Sequence, residues 1–209
     1  IDVNGTANLD VVDIDGAVDM ASTLQVDGAI TSSSGATITV ADNSDNLTLT
    51  STDADSNAGP NINMFRNSSS PADGDALGLI EFEGKNDAGT TVRYAGIDAR
   101  IVDASDGTED GRLELVTTLA GSGAVSRMNL ESTETVFNEN SKDLNFRVES
   151  DNDANAFFVR GSDGNVGIAH NAPDAHLHVI ESSNGTTTPL IVGNEDHTDS
   201  STSTKVRMT

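Results

Sequence analysis

The chain has 209 residues, with 34 Asp and Glu against 11 Lys and Arg and a net charge of −23. So acidic a surface repels nucleic-acid phosphates and anionic lipid, so no nucleic-acid partner and no membrane partner are expected. Cysteine is absent, which removes disulfides and thiol chemistry, and no apolar run approaches the ~20 residues that cross a bilayer.

Large side chains are scarce. The apolar fraction is 35% and aromatics make up 3%, with no Trp and one Tyr. Even with its 19 glycines counted, the chain falls just short of the ~45–50% usual in globular proteins. A thin core is most cheaply completed by sharing it between chains, which favours an intertwined oligomer.

Residues 1–59 read as a repetitive shaft segment. Ile1-Asp2-Val3-Asn4-Gly5, Val12-Asp13-Ile14-Asp15-Gly16 and Leu24-Gln25-Val26-Asp27-Gly28 align, with glycines at 5, 16 and 28. Each unit is a short alternating strand closed by an Asn/Asp-Gly turn, and such units stack into solenoids or wind around each other. Val12, Ile14, Leu24 and Val26 would face inward. Ala36–Val40 and Asn46–Thr50 follow as alternating strands around an Asp-Asn-Ser-Asp turn.

Residues 60–150 read as a β-rich module. Its candidate strands are Asn61–Arg66, Leu77–Gly84, Thr91–Arg100, Gly111–Thr117, Arg127–Leu130, Thr133–Asn138 and Leu144–Glu149. Gly, Asp and Asn punctuate them, and no segment carries a helical period. The expected core combines Phe82, Phe137, Phe146, Phe157 and Phe158 with Ile80, Ile97, Ile101, Leu113, Leu115, Met128 and Leu130.

Residues 151–179 form a hairpin and linker segment. Phe157–Phe158 and Val166–Ile168 flank a Ser-Asp-Gly-Asn turn, the strongest kind of short-range hairpin signal. Pro173 breaks the chain, and Leu177 and Val179 restart it with a period of two. Residues 180–209 look like the start of a further, truncated module with a strand at Pro189–Val192. The chain does not begin with Met and ends in the polar HTDSSTSTKVRMT, so it is expected to be part of something longer.

The pattern V-G-I-x-x-x-x-P-x-x-x-L-x-V over Val166–Val179 resembles a recurrent segment of bacteriophage tail-fibre proteins. The preceding stretches resemble the β-rich fibre modules of marine phage: GLIEFEGKNDAGTTVRYAGIDARIVDASDGTEDGRLELVTT from Gly78, then MNLES, then DLNFRVESDNDANAFFVRGSDGNVGI. Together these span about half the chain, Gly78 to Val179. The family segment usually reads V-G-I-G-T, and here Ala169 and His170 replace the Gly-Thr.

The resemblance implies a structural role in the virion tail, outside the cell, with no catalysis. Its implied partners are the chain itself as a homotrimer, other virion tail proteins, and a host surface receptor reached through parts outside this chain. Together with the composition it gives an all-β, elongated, parallel homotrimeric fibre with a β-helix or β-prism-like shaft and β-rich modules. A bacterial extracellular adhesin or surface filament is the alternative, and a glycan-degrading tailspike is the third reading. The tailspike lacks support in a chain without Trp sugar platforms, Ser-His-Asp spacing or phosphate loops.

Two metal candidates remain. His176 and His178 would share a strand side, and three copies would bring six imidazoles to an axis, enough for an octahedral transition metal. Such His-x-His pairs hold iron in some phage long tail fibres, a resemblance of two residues. Against it, Leu177 and Val179 should face the core and turn both His outward. Asp103, Asp106, Glu109 and Asp110 crowd oxygen ligands into one loop, a candidate for weakly bound calcium, but they miss the EF-hand spacing and read more readily as a plain Asp-rich turn. No other cofactor is expected. Candidate receptor-facing loops are Asn67–Ala72 and Asp103–Gly111.

Overall fold

A computed structural model of the protein describes residues 14–21 and 23–180. The chain divides into two units, Ile1–Asn61 and Ile62–Thr209. Every regular element among the described residues is a β-strand.

In the first unit no strand is present among the described residues. Ile14, Val18, Leu24, Val26, Ile30, Ile38, Leu47 and Leu49 are all exposed. Acidic side chains bond nearby amides instead. Asp42 accepts from the Ser44 amide at 2.9 Å and Asp55 from the Asn57 amide at 2.8 Å, local turns that compete with a ladder. Ala36–Val40 and Asn46–Thr50 are therefore not paired strands. The repeat units before Ile14, Val12 included, lie outside the described residues.

The second unit holds two sheets. The first is an antiparallel meander of β1 (Ala76–Lys85), β2 (Thr91–Asp103), β3 (Asp110–Thr118), β4 (Ala124–Leu130) and β5 (Thr135–Phe137), in sequence order. The second comprises β6 (Phe146–Val148), β7 (Phe157–Val159), β8 (Val166–Ile168) and β9 (Leu177–Val179). β6, β7 and β8 are antiparallel, whereas β9 runs parallel to β8. Both sheets are open and uncurled. The expected β-helix or β-prism-like shaft is thus overturned: short hairpin loops keep successive long strands side by side, so the ladder spreads flat instead of winding into coils.

The turns form where Asn and Gly dictate. Between β1 and β2, the Asn86 carboxamide accepts from the amides of Ala88 (3.1 Å) and Thr90 (2.8 Å), and Gly89 takes a φ of 80°. The expected strand over Asn61–Arg66 does not form. Arg66 instead donates to the Ala76 carbonyl at 2.9 Å and pairs with Asp75 at 3.1 Å, while Met64 lies over Gly78. From Glu181 onward, the further module expected over 180–209 lies outside the described residues.

The expected core is corrected most sharply. Ile80, Phe82, Ile97, Ile101, Leu113, Leu115, Met128, Leu130 and Phe137 do share one face of the first sheet, but that face is largely open: Phe82 is 56% and Phe137 49% exposed, and Ile80, Leu113, Leu115 and Leu130 are also exposed. Phe146 and Phe157 instead lie half-buried in the second sheet, where Phe158 is buried as expected. Among the described residues the buried apolar side chains are Val116, Val125 and Phe158, and they are joined by the polar Asp98, Ser126 and Asn129.

Candidate functional site

The register of the first sheet explains this inversion. Ile80, Ile97, Leu115, Met128 and Phe137 are successive partners across all five strands. Since side chains alternate along a strand, this row and its two-residue neighbours share one face. The next row, Leu79, Asp98, Glu114, Asn129 and Val136, belongs to the opposite face. So does Glu81 beside Gly96, Val116 and Ser126.

A register slip between Leu115 and Val116 lets β4 carry one extra residue, Arg127. It places Ser126 and Asn129, three apart, on the same polar face. There Ser126 Oγ donates to Asn129 Oδ1 at 2.5 Å, and Asn129 Nδ2 donates to Glu131 at 3.1 Å. Arg112 lies 3.5 Å from Glu131, and the Ser126 amide donates to Asn140 Oδ1 at 2.8 Å. Arg93 donates to Asp98 through both terminal nitrogens and lies 3.5 Å from Glu81. The Asp98 carboxylate holds the Arg93 guanidinium above its ordinary pKa. Asp98, 6% exposed, is thereby a buried charge with a bidentate partner. Gly96 makes room for this pair, since a Cβ there would collide with the Arg93 guanidinium. The polar face is thus closed mainly by its own ion pairs and hydrogen bonds, although Arg93 Nε and Arg112 Nε are buried without a hydrogen-bond partner, while the apolar face is covered only at its margins, by Met64 at Gly78 and Phe146 at Phe137.

The second sheet is held by Arg160. Its guanidinium clamps Asp163 in the β7–β8 turn and donates to the carbonyl of the fully buried Pro173 in the β8–β9 connection. This pairing pulls the Asp163 carboxyl below its ordinary pKa. Gly167 packs against the His170 carbonyl, where a Cβ would not fit. Ala169 has a φ of 55°, in the left-handed region that favours glycine. A glycine at this position would adopt the same backbone without a Cβ penalty.

His176 and His178 do not face the same surroundings. His176 is exposed, whereas His178 is half-buried, with Nδ1 2.9 Å from Asp174 and its ring centroid 4.3 Å from that of His170. Leu177, expected inside, is 57% exposed. Parallel pairing seats His178 opposite Gly167, a residue with no side chain to compete for space.

The acidic loop is a turn in which Asp103 and Glu109 bond within the loop. Asp103 accepts from the Ser105 amide (2.8 Å) and the Thr108 hydroxyl (3.3 Å), and Glu109 accepts from the Gly107 amide (3.1 Å). The Ser105 bond, followed by the weaker Thr108 contact, lowers the Asp103 pKa. Asp103, Glu109 and Asp110 line a cleft of about 410 Å³ together with Pro71, Leu77 and Arg100. The two loops named as receptor-facing candidates therefore converge. Asp106 is not in that lining. Among the described residues no three His, Asp or Glu side chains converge in a set suited to a metal ion. A second cleft, about 440 Å³, opens beside Phe137, Phe146, Lys142 and Arg160.

No known family model, curated protein or solved structure matches this chain.

Proposed function

We propose that this chain is a structural, non-catalytic component of a phage tail fibre or similar virion appendage, and that it acts as a homotrimer presenting a host-recognition tip. The observation that carries this reading is the poverty of the chain's own interior. With Val116, Val125 and Phe158 as the buried apolar side chains among the described residues, the fold is built to be completed from outside. The resemblance from Gly78 to Val179 supplies the kind of assembly, because those residues span both sheets. Self-association turns a thin chain into a stiff one, since strands held between copies open only together. On this reading the protein works outside the cell on the virion tail, beside other tail proteins, and the receptor is met by parts beyond this chain.

Antibodies against the purified chain test the assignment by electron microscopy. Labelling of the tails of purified particles is the expected outcome. Labelling of bare cell surfaces without particles would instead point to an adhesin and overturn the proposal.

A further inference from the structure

We infer that the apolar face of the five-stranded sheet is the surface through which copies of this chain join, the same face of a second copy being its occupant. The inference rests on the self-association proposed above and says where it occurs.

The face is continuous. Ile80, Ile97, Leu115, Met128 and Phe137 cross all five strands, and Phe82, Leu113 and Leu130 extend the row on either side. The second sheet meets it at the β5 edge, where Phe146 packs against Phe137, and leaves Ile80, Phe82, Leu113, Leu115 and Leu130 exposed. A chain so short of apolar residues gains nothing by presenting them to water, since each exposed Leu or Ile forgoes roughly 1.5–3 kcal/mol of burial.

Charge selects the occupant. Every chain carries −23, so two copies can approach closely only where carboxylates are missing. The strand acids Glu81, Asp98 and Glu114 all lie on the opposite face, where Arg93 pairs with Glu81 and Asp98. Arg127, at the bulge, is a cation that reaches this face and donates to Thr117, in the row of Phe82. A flat, apolar patch whose facing strand positions carry no carboxylate complements another of its own kind, whereas a basic partner would be drawn to the acidic surfaces instead.

Area is sufficient. Five strands at ~4.8 Å spacing and about seven residues at ~3.3 Å rise give on the order of 550 Å² of flat sheet. Interdigitating side chains raise this toward the ~800 Å² per partner of a stable interface. In a trimer the three faces would meet along one axis, each shared between its two neighbours.

The test uses the full chain and light scattering. Wild type is expected at three chains, and Leu115→Glu at one chain with its β-sheet circular dichroism retained, its dissociation constant raised at least 100-fold. Because the chain has no cysteine, Leu115→Cys provides a second reading that leaves the face apolar. Oxidation should link copies through Leu115→Cys and not through Glu114→Cys on the opposite face. An associated wild type whose Leu115→Glu variant stays associated, or cross-links only at position 114, overturns this interface while leaving self-association standing. A monomeric wild type overturns both.

Discussion

The rings of Phe137 and Phe146 meet with centroids 4.9 Å apart at 51°, and these are the last residue of the first sheet and the first of the second. Phe146 in turn meets Phe157 at 6.1 Å in an edge-on arrangement. This aromatic relay is where the two sheets touch. Phe146→Ala removes both ring contacts, and because the site is half-buried the loss should be roughly 2 kcal/mol, below the 3–5 of a full core aromatic. Hydrogen exchange is expected to speed up over β6–β8 and stay slow in β2 and β3. Equal acceleration in both sheets would mean that they fold as one block.

The Arg93–Asp98 pair should be the most sensitive polar site. Asp98→Ala strands a guanidinium that has little access to water, an expected loss of about 2–4 kcal/mol in urea unfolding. Gly96→Ala should weaken the same pair by pushing the guanidinium aside. A double variant, Asp98→Ala with Gly96→Ala, then costs less than the sum of the two, because both remove one interaction. Strict additivity would show that Gly96 has some other role.

Ala169 tolerates a φ that glycine adopts freely. Ala169→Gly is expected to stabilise the β8–β9 connection by roughly 0.5–1 kcal/mol, the relief of left-handed strain less the added freedom of the unfolded chain. A lower melting temperature for this variant would refute the account of left-handed strain at Ala169.

Acid should loosen the β7–β8 hairpin before the first sheet. Arg160 holds Asp163 below the ordinary value of 3.8, so the unfolded chain takes up this proton before the folded one. The stabilisation is complete above that value and fades as pH falls through the lowered one, below about pH 4. Asp163→Asn lacks this step. The stability difference between wild type and variant should therefore shrink on going from pH 6 to pH 2. A constant difference would dissociate Arg160 from the effect.

Association should depend on salt. Three copies at −23 each carry −69. At ~10 mM salt charges act over ~30 Å, against ~8 Å at 150 mM. The measured mass is expected to fall toward one chain at low ionic strength and to recover on adding salt. Stronger association at low salt would mean that opposite charges, not the apolar face, hold the copies together.

The strands from Leu77 to Leu130 could be read from residue order, because a period of two, punctuated by Asn86–Gly89 and Gly121–Gly123, leaves the backbone little other choice. The same alternation separates Ile80, Ile97 and Leu115 from Glu81, Asp98 and Glu114. Which side would be closed could not be read this way. Apolar residues normally go inward, but here Arg93, Asp98, Ser126 and Asn129 close the polar side through contacts that depend on cross-strand register and on a one-residue bulge. The same holds for His178, turned inward by the bare Gly167 beside it, and for Pro71, brought to Asp103 across loops far apart in the chain. Local pattern sets the strand and its two faces. The neighbour that a face meets is a matter of long-range pairing, and pairing is settled by the whole sheet at once.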